Sequence, residues 1–588
     1  MMKSRIFTQR RKLLVICAAV LVILPNFVFA DTFLQKVNFF VESSYDISHR
    51  ETLSATLRHI GVKAYFYIED KWWNTLSDQE KQEVLDNIVA LSEEFDKKIY
   101  PTLTSIYGPE WKPGIDKDYR ITVLFHQMRE EVGGYNRSID EYLKVQAPES
   151  NQREMIYLNV KYLPNSLIKS YLAHEFTHLI TFYQKEKLLG TQEEVWLNEA
   201  RADYSPTLLG YDDQLQGSNL EARIKEFLNS PNDSLCEWKN KKADYGIVNL
   251  FTQYLVDHYG IEILKDSLHT KKTGIEAINY ALKKNGFEKT FQDIFLDWVL
   301  AIYLNDCSYG SFYCYKNENL QNLRVTPTLV FLPTTYKTKI SLVYNIKNWS
   351  ARWFKIIGGN KGLEIEIKNI DAPNIVVPYI VKKNGTEVSI EKLEIPKESK
   401  TISLPTFAKE NISLILIPTV EYKSSGFKNN ESTYHFEIDI STVSGKPSSQ
   451  EQPTKPINQM TIEELRAKIQ ELQQEILRLK RLLNELLTQQ SISCKKITKN
   501  LYYGMMNDPQ VRCLQEFLKS QGKDIYPEGL VTGNFLKLTK QAVVRFQEKY
   551  KEEILEPLGL ENGTGFVGPK TRTKINQILR ETNISINF

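Results

Sequence analysis

The chain has 588 residues, too many for one ordinary hydrophobic core, so several domains are expected. A hydrophobic content of 42% and a charged content of 25% are those of folded protein and exclude a disordered or fibrous chain. The formal charge is +3, and removing the five basic residues of the first thirty takes it to −2, so no basic block argues for nucleic-acid binding.

Those five residues, Lys3, Arg5, Arg10, Arg11 and Lys12, precede the apolar run "LLVICAAVLVIL" and the small-residue "VFA". Together they predict a secretion signal over residues 1–30 with cleavage after Ala30, an uncleaved anchor being the alternative. The chain is therefore expected to be secreted or held at the cell surface. Of the five cysteines beyond the signal, Cys307 with Cys314 and Cys494 with Cys513 are the expected disulfides of an oxidising exterior. Cys236 is left as a buried thiol, unless it displaces a member of the first pair.

Residues 31–325 mix helices with a few strands. "YRITVLFHQM" and "REMIYLNVKYL" read as strands from their β-branched and aromatic content. "PNSLIKSYLAHEFTHLITFYQKEKLLG" follows as a helix, with Asn165 or Ser166 as N-cap and Gly190 beyond its end. "GIVNLFTQYLVDHYG" and "TFQDIFLDWVLAIYL" also carry helical spacing. Residues 326–445 change to short alternating segments, "RWFKIIG", "LEIEIKNI", "NIVVPYIV", "TISLPTF", "ISLILIP" and "YHFEIDIS", and read as an accessory β-sandwich.

A polar linker occupies 446–460. Thr461 and Glu464 then form a capping box that opens a helix over 461–490. Ile462, Leu465, Ile469, Leu472, Ile476, Leu479, Leu483 and Leu486 alternate spacings of three and four. Mostly Ile at a and Leu at d predicts a parallel two-stranded coiled coil, with Glu475 facing the partner's Lys480; a helix packed on a neighbouring domain is the alternative.

The helix between Asn165 or Ser166 and Gly190 carries the chemistry. His174 and His178, four residues apart, lie on one face, while Glu175 is rotated by about 100°. In such an H-E-x-x-H arrangement two imidazoles hold zinc and the glutamate is the base for a water molecule. A third ligand is needed, and "VWLNEARADY" supplies Glu199; Asp203, one turn on, can fix the tautomer of a liganding histidine. His126 and His258 are expected to be structural.

With these residues in view, 31 to about 305 resembles a gluzincin metallopeptidase, and "AHEFTHLI" with "WLNEARADY" is most similar to the hyicolysin-type branch. The resemblance implies an α+β zincin-type domain, zinc, and peptide-bond hydrolysis with Glu175 as general base. It also implies an edge strand along which substrate adds, "REMIYLNV" being the expected one, and a tyrosine donor for the oxyanion. Tyr245 is the candidate donor and Tyr204 the competitor.

Residues 491–588 resemble the small three-helix peptidoglycan-binding module of wall enzymes. "NDPQVRCLQEFLKSQG" is its first helix, and Gly533, Phe535 and Thr539 recur as Gly565, Val567 and Thr571. Leu536 departs from the family, which has glycine there as this chain does at Gly568. Backbone amides and a threonine hydroxyl at each helix start are the groups expected to meet ligand. The expectation is thus a multidomain, secreted zinc endopeptidase tethered to the wall by its C-terminal module. A non-enzymatic surface or adhesion protein with a vestigial peptidase domain, or a peptidase of peptidoglycan stem peptides, are the alternatives.

Overall fold

The computed structural model describes residues 30–333, 338–359, 362–383, 387–407, 411–443, 496–505 and 508–581. The secretion signal, the linker, the 461–490 coiled coil and Cys494 lie outside the described residues. The architecture is multidomain and mixed α/β, dividing between Ser448 and Ser449 into two compact units.

The first unit opens with a six-stranded sheet of order β1-β2-β3-β4-β6-β5. Its strands are β1 (Lys36–Phe40), β2 (Thr52–Ile60), β3 (Ala64–Glu69), β4 (Ile121–His126), β5 (Gly134–Asn136) and β6 (Met155–Asn159). β3, β4 and β6 are parallel and buried along their whole length, as strands covered on both faces must be. Alternate side chains go to opposite cores: Phe66, Ile68, Val123, Phe125, Ile156 and Leu158 face the helices, while Tyr65, Tyr67, Leu124, Met155 and Tyr157 face a smaller cluster closed by β1 and β2. The sheet corrects one expectation. β6, the "MIYLN" strand, lies between β4 and β5, and the edge belongs to β5, which runs antiparallel to it. Three residues flanked by glycine were too short to show a period.

Among the described residues the first unit has, besides the short helix Asp70–Trp73, nine longer helices, numbered in chain order: α1 (Asp78–Glu94), α2 (Tyr100–Tyr107), α3 (Leu167–Thr181), α4 (Val195–Leu208), α5 (Asn219–Asn229), α6 (Lys242–Tyr259), α7 (Glu262–Leu268), α8 (Gly274–Lys284) and α9 (Phe291–Leu304). α3 starts after Ser166, with Asn165 accepting from the Leu167 N–H, and runs into a π-helical turn, Phe182–Lys187, before Gly190 at φ +67°. Cys307 and Cys314 form a disulfide, and Cys236 is a buried thiol. No helix among the described residues is long and apolar enough to cross a membrane.

Two further sheets share one core through Ile356, Ile365, Val377, Leu416 and Ile438. One has order β13-β10-β15-β8 and the other β12-β11-β14-β9-β7. The strands are β7 (Thr328–Leu332), β8 (Lys339–Lys347), β9 (Phe354–Gly358), β10 (Gly362–Asn369), β11 (Ile375–Lys383), β12 (Val388–Ile395), β13 (Ser399–Leu404), β14 (Asn411–Leu416) and β15 (Thr433–Val443). The six alternating segments of the sequence coincide with β9, β10, β11, β13, β14 and β15. The three it left out, β7, β8 and β12, are all edge strands.

A buried carboxyl ties the loop before β4 to β6. Glu154 accepts from the Ile115 N–H at 2.8 Å, and burial, then the nearby Asp116 and Glu110 charges, push its pKa up to about 8. A carboxyl whose folded pKa is raised binds its proton more tightly in the native state. Its stabilising contribution is present below its unfolded value and is lost as pH rises toward the folded one. The expected result is a melting temperature that falls between pH 5 and 8, and falls less steeply in Glu154→Gln; a full shift contributes about 1.4 kcal/mol per pH unit at most. Equal slopes in the two proteins would refute this role.

In the second unit α10 (Pro509–Ser520), α11 (Lys537–Lys549), α12 (Lys551–Ile554) and α13 (Pro569–Glu581) surround one core. Asp508 caps α10, accepting from Gln510 and Val511 N–H, and Cys513 is disulfide-bonded. The internal repeat has a glutamine at its centre. Gln515 donates to Thr539 Oγ1 (2.9 Å) and accepts from Gly533 N–H (2.8 Å); Gln547 does the same with Thr571 (3.0 Å) and Gly565 (2.9 Å). Both threonines are buried, so their hydroxyls hold the repeat together and are not offered to a ligand, contrary to expectation. Leu536 sits at φ −104°, a conformation open to any residue, so its turn needs no glycine.

Candidate metal centre

His174 and His178 project from the same face of α3, and α4 brings Glu199 against them. Their donor atoms converge: His174 Nε2 lies 3.1 Å from His178 Nε2 and 3.3 Å from Glu199 Oε2, and His178 Nε2 is 3.7 Å from that oxygen. Two donors about 2.0–2.1 Å from a tetrahedrally held zinc lie about 3.3–3.4 Å apart. The tautomers suit the same end. His178 Nδ1 faces Asn198 Oδ1 at 3.1 Å and His174 Nδ1 faces Asp203 Oδ1 at 3.6 Å, which leaves both Nε2 lone pairs pointing inward. Glu199 Oε2 is buried without a hydrogen-bond partner, a costly arrangement unless a cation completes it. These three side chains could hold a metal ion, and the donor set fits zinc.

The supporting layer is more extensive than Asp203 alone. Asp203, fully buried, accepts from Arg223 Nε (2.9 Å) and Nη2 (2.8 Å) and from Asn249 Nδ2 (2.9 Å). Burial works to raise its pKa, and Arg223 more than offsets this and holds it well below the usual carboxylate range. Burial likewise opposes a charge on His174, while Asp203 and Glu199 favour one; a cation at the donors would take the place of that second proton. Ahead of α4, Glu193 pairs with Arg201 at 2.8 Å, and Lys185, also fully buried, donates to the carbonyls of Ser267, Thr270 and Lys272. This knot ties the turn after α3 to the segment that presents Glu199.

Glu175 lies beside the donors, with its pKa pushed up to about 7 by burial first and by Glu199. Edge strand β5 presses against it because Gly133 and Gly134 have no side chains. A Cβ at Gly133 would sit 2.6 Å from the Tyr171 ring, and one at Gly134 2.8 Å from Tyr157 O and 3.3 Å from Glu175 Cγ.

Two cavities of about 480 and 590 Å³ adjoin the site, the first lined by all three donors and the second by His174 alone, and both are lined by Tyr45, Gly134, His174, Glu175, Asn240 and Tyr245. Asn240 links two lining residues far apart in sequence: its Nδ2 donates to Tyr45 Oη at 3.0 Å, and its Oδ1 accepts from Tyr245 Oη at 3.1 Å. The Tyr245 ring stands between Trp238 (4.8 Å) and the Arg223 guanidinium (4.8 Å). Tyr204 is instead buried in the helical core. His126 contacts Tyr135 Oη and His258 the Cys314 carbonyl, both away from the donors.

Sequence reasoning missed Asn198, Arg223, Asn240, Tyr45 and the Gly133–Gly134 pair. Only Asn198, inside the quoted "LNEARADY", and the doubled glycine offered a signal.

No family model matches the chain, and no curated protein does. Among solved structures, the Yersinia pseudotuberculosis-derived mitogen aligns at 12% identity over 21% of this chain and 100% of its own, with a TM-score of 0.14. The Aeromonas hydrophila periplasmic inhibitor of g-type lysozyme, PliG, aligns at 11% identity over 20% and 98%, also with a TM-score of 0.14. Likenesses at that level carry nothing about this chain's fold or activity.

Proposed function

We propose that the protein is a secreted zinc-dependent endopeptidase of the gluzincin type. The observation that carries this reading is the position of Glu175: a buried carboxylate outside the His174–His178–Glu199 donor set, lining both cavities between those donors and an edge strand. When bound, zinc supplies Lewis acidity toward a peptide carbonyl and toward water.

The chain's own residues supply the rest. The free edge of β5 offers backbone hydrogen bonds to a peptide lying as an added strand, which orients it across the two cavities. Glu175 takes the proton of the attacking water and returns it to the departing amine. Tyr245 donates from its hydroxyl to the developing oxyanion after exchanging its bond to Asn240. Tyr245→Phe should therefore lower kcat by about a hundredfold with little change in KM, whereas Tyr204→Phe should leave catalysis unchanged. Steady-state kinetics on one peptide checks both, and equal effects would remove Tyr245 from the mechanism.

The deciding experiment is metal analysis of the purified protein combined with a peptide-library digest. About one zinc per chain and cleavage within peptides is the expected result. Casein and purified sacculi as parallel substrates separate a general endopeptidase from one acting on stem peptides. A metal-loaded protein that cleaves neither would favour a binding role. The second unit is proposed to hold the enzyme at peptidoglycan, and residues 461–490 to pair two chains.

A further inference from the structure

The cavity of about 480 Å³ at the donors carries a carboxylate that no direct ion pair holds among the described residues. Its lining includes Lys185, Glu186 and Glu193 in addition to the residues of the metal centre. Lys185 is consumed by three carbonyls and Glu193 by Arg201. Glu186 is different. Its carboxylate accepts one hydrogen bond, from Tyr142 Oη at 3.3 Å, and has no ion-pair partner among the described residues. The adjacent Lys187 lends Glu186 a nearby positive charge but no direct pair, its ammonium donating to the Glu141 carbonyl at 3.2 Å and standing over the Trp111 ring at 4.1 Å. The remaining wall is apolar at Phe182, Val195 and Trp238.

We propose that Glu186 is a specificity-determining residue that binds a cationic group of the substrate, either a lysine or arginine side chain or a free α-amino terminus. The inference rests on the peptidase reading and assigns the substrate class within it. A half-buried carboxylate without a direct ion pair gains from a ligand that brings one, because the cavity wall limits its access to water. The spacing fits. Glu186 follows His178 by eight residues, about two turns on along α3 and its π-helical continuation, and both line the same cavity. A long basic side chain beside the scissile bond can lay its methylene stem on Phe182 and Val195 and bring its head to Glu186.

The test uses zinc-loaded full-length protein and matched peptides. At the position flanking the cleaved bond they carry lysine, norleucine or glutamate, each with a free or an acetylated amino terminus. The wild type should prefer lysine over norleucine by at least about tenfold in kcat/KM, the size of a charge pair in a partly screened site. That preference should vanish in Glu186→Gln and turn toward glutamate in Glu186→Lys. If the cation is the α-amino group, acetylation should remove the preference in place of the side-chain change. The same peptides are titrated by fluorescence anisotropy into the Glu175→Gln protein, where binding is read without turnover. Lysine-selective binding without any cleavage by the wild type would sink the peptidase reading and keep Glu186 as a cation subsite. Equal binding of all the peptides, or an unchanged preference in Glu186→Gln, would overturn the proposal.

Discussion

Glu175→Gln should keep its zinc and lose its hydrolytic activity. The substitution conserves shape, and Glu175 is not among the three converging donors, so metal content should match the wild type. Removing a general base costs typically about 10²–10⁴-fold, and a neutral amide cannot accept the proton, so kcat/KM should fall by about a thousandfold or more. The close packing of β5 on this side chain through Gly134 makes Gln the right choice; a shorter residue would open space under the edge strand and confuse base loss with strand movement. Metal analysis and kinetics on the same preparation check it. Near-normal turnover would remove Glu175 from the chemistry, and loss of metal would place it among the ligands.

The parts of this site that were legible in the sequence are those joined by short, periodic spacing. His174, Glu175 and His178 share one helical turn, and Glu199 and Asp203 share the next helix, so residue type and spacing were enough to nominate them. What was not legible depends on contacts made across long stretches of chain. Arg223 reaches Asp203 from α5, Asn240 reaches Tyr45 from almost two hundred residues away, and neither contact leaves a local pattern. The edge strand was misassigned for a related reason. β6 has the stronger strand composition because it is buried on both faces, whereas the exposed edge is a three-residue segment with a glycine at its start. In the two sheets that share a core, the strands left out, β7, β8 and β12, likewise all lie at sheet edges.

Asp203→Asn should weaken the metal centre and the fold together, and by separable amounts. Asp203 faces His174 Nδ1 at 3.6 Å, and loss of such a support typically costs about 10–100-fold in metal affinity. The larger effect concerns Arg223. Its guanidinium is held by two bonds to Asp203 and one to Glu226 (2.9 Å), under the Tyr245 ring. Removing one partner of a buried ion pair costs about 3–5 kcal/mol, and Arg223, left with Glu226 alone, should fall at the lower end of that range. Arg223→Met in the Asp203→Asn background should recover part of that stability, because the buried guanidinium that lost Asp203 is gone, while Glu226, which loses its bond to Arg223, keeps the nearby Lys242 charge. It should not recover zinc affinity, since His174 still lacks the carboxylate that fixes its tautomer. Denaturant unfolding of the metal-free proteins, with zinc titration against a competing chelator, measures the two effects independently. If the double substitution restores zinc binding as well as stability, Asp203 acts only through Arg223 and has no direct hold on His174.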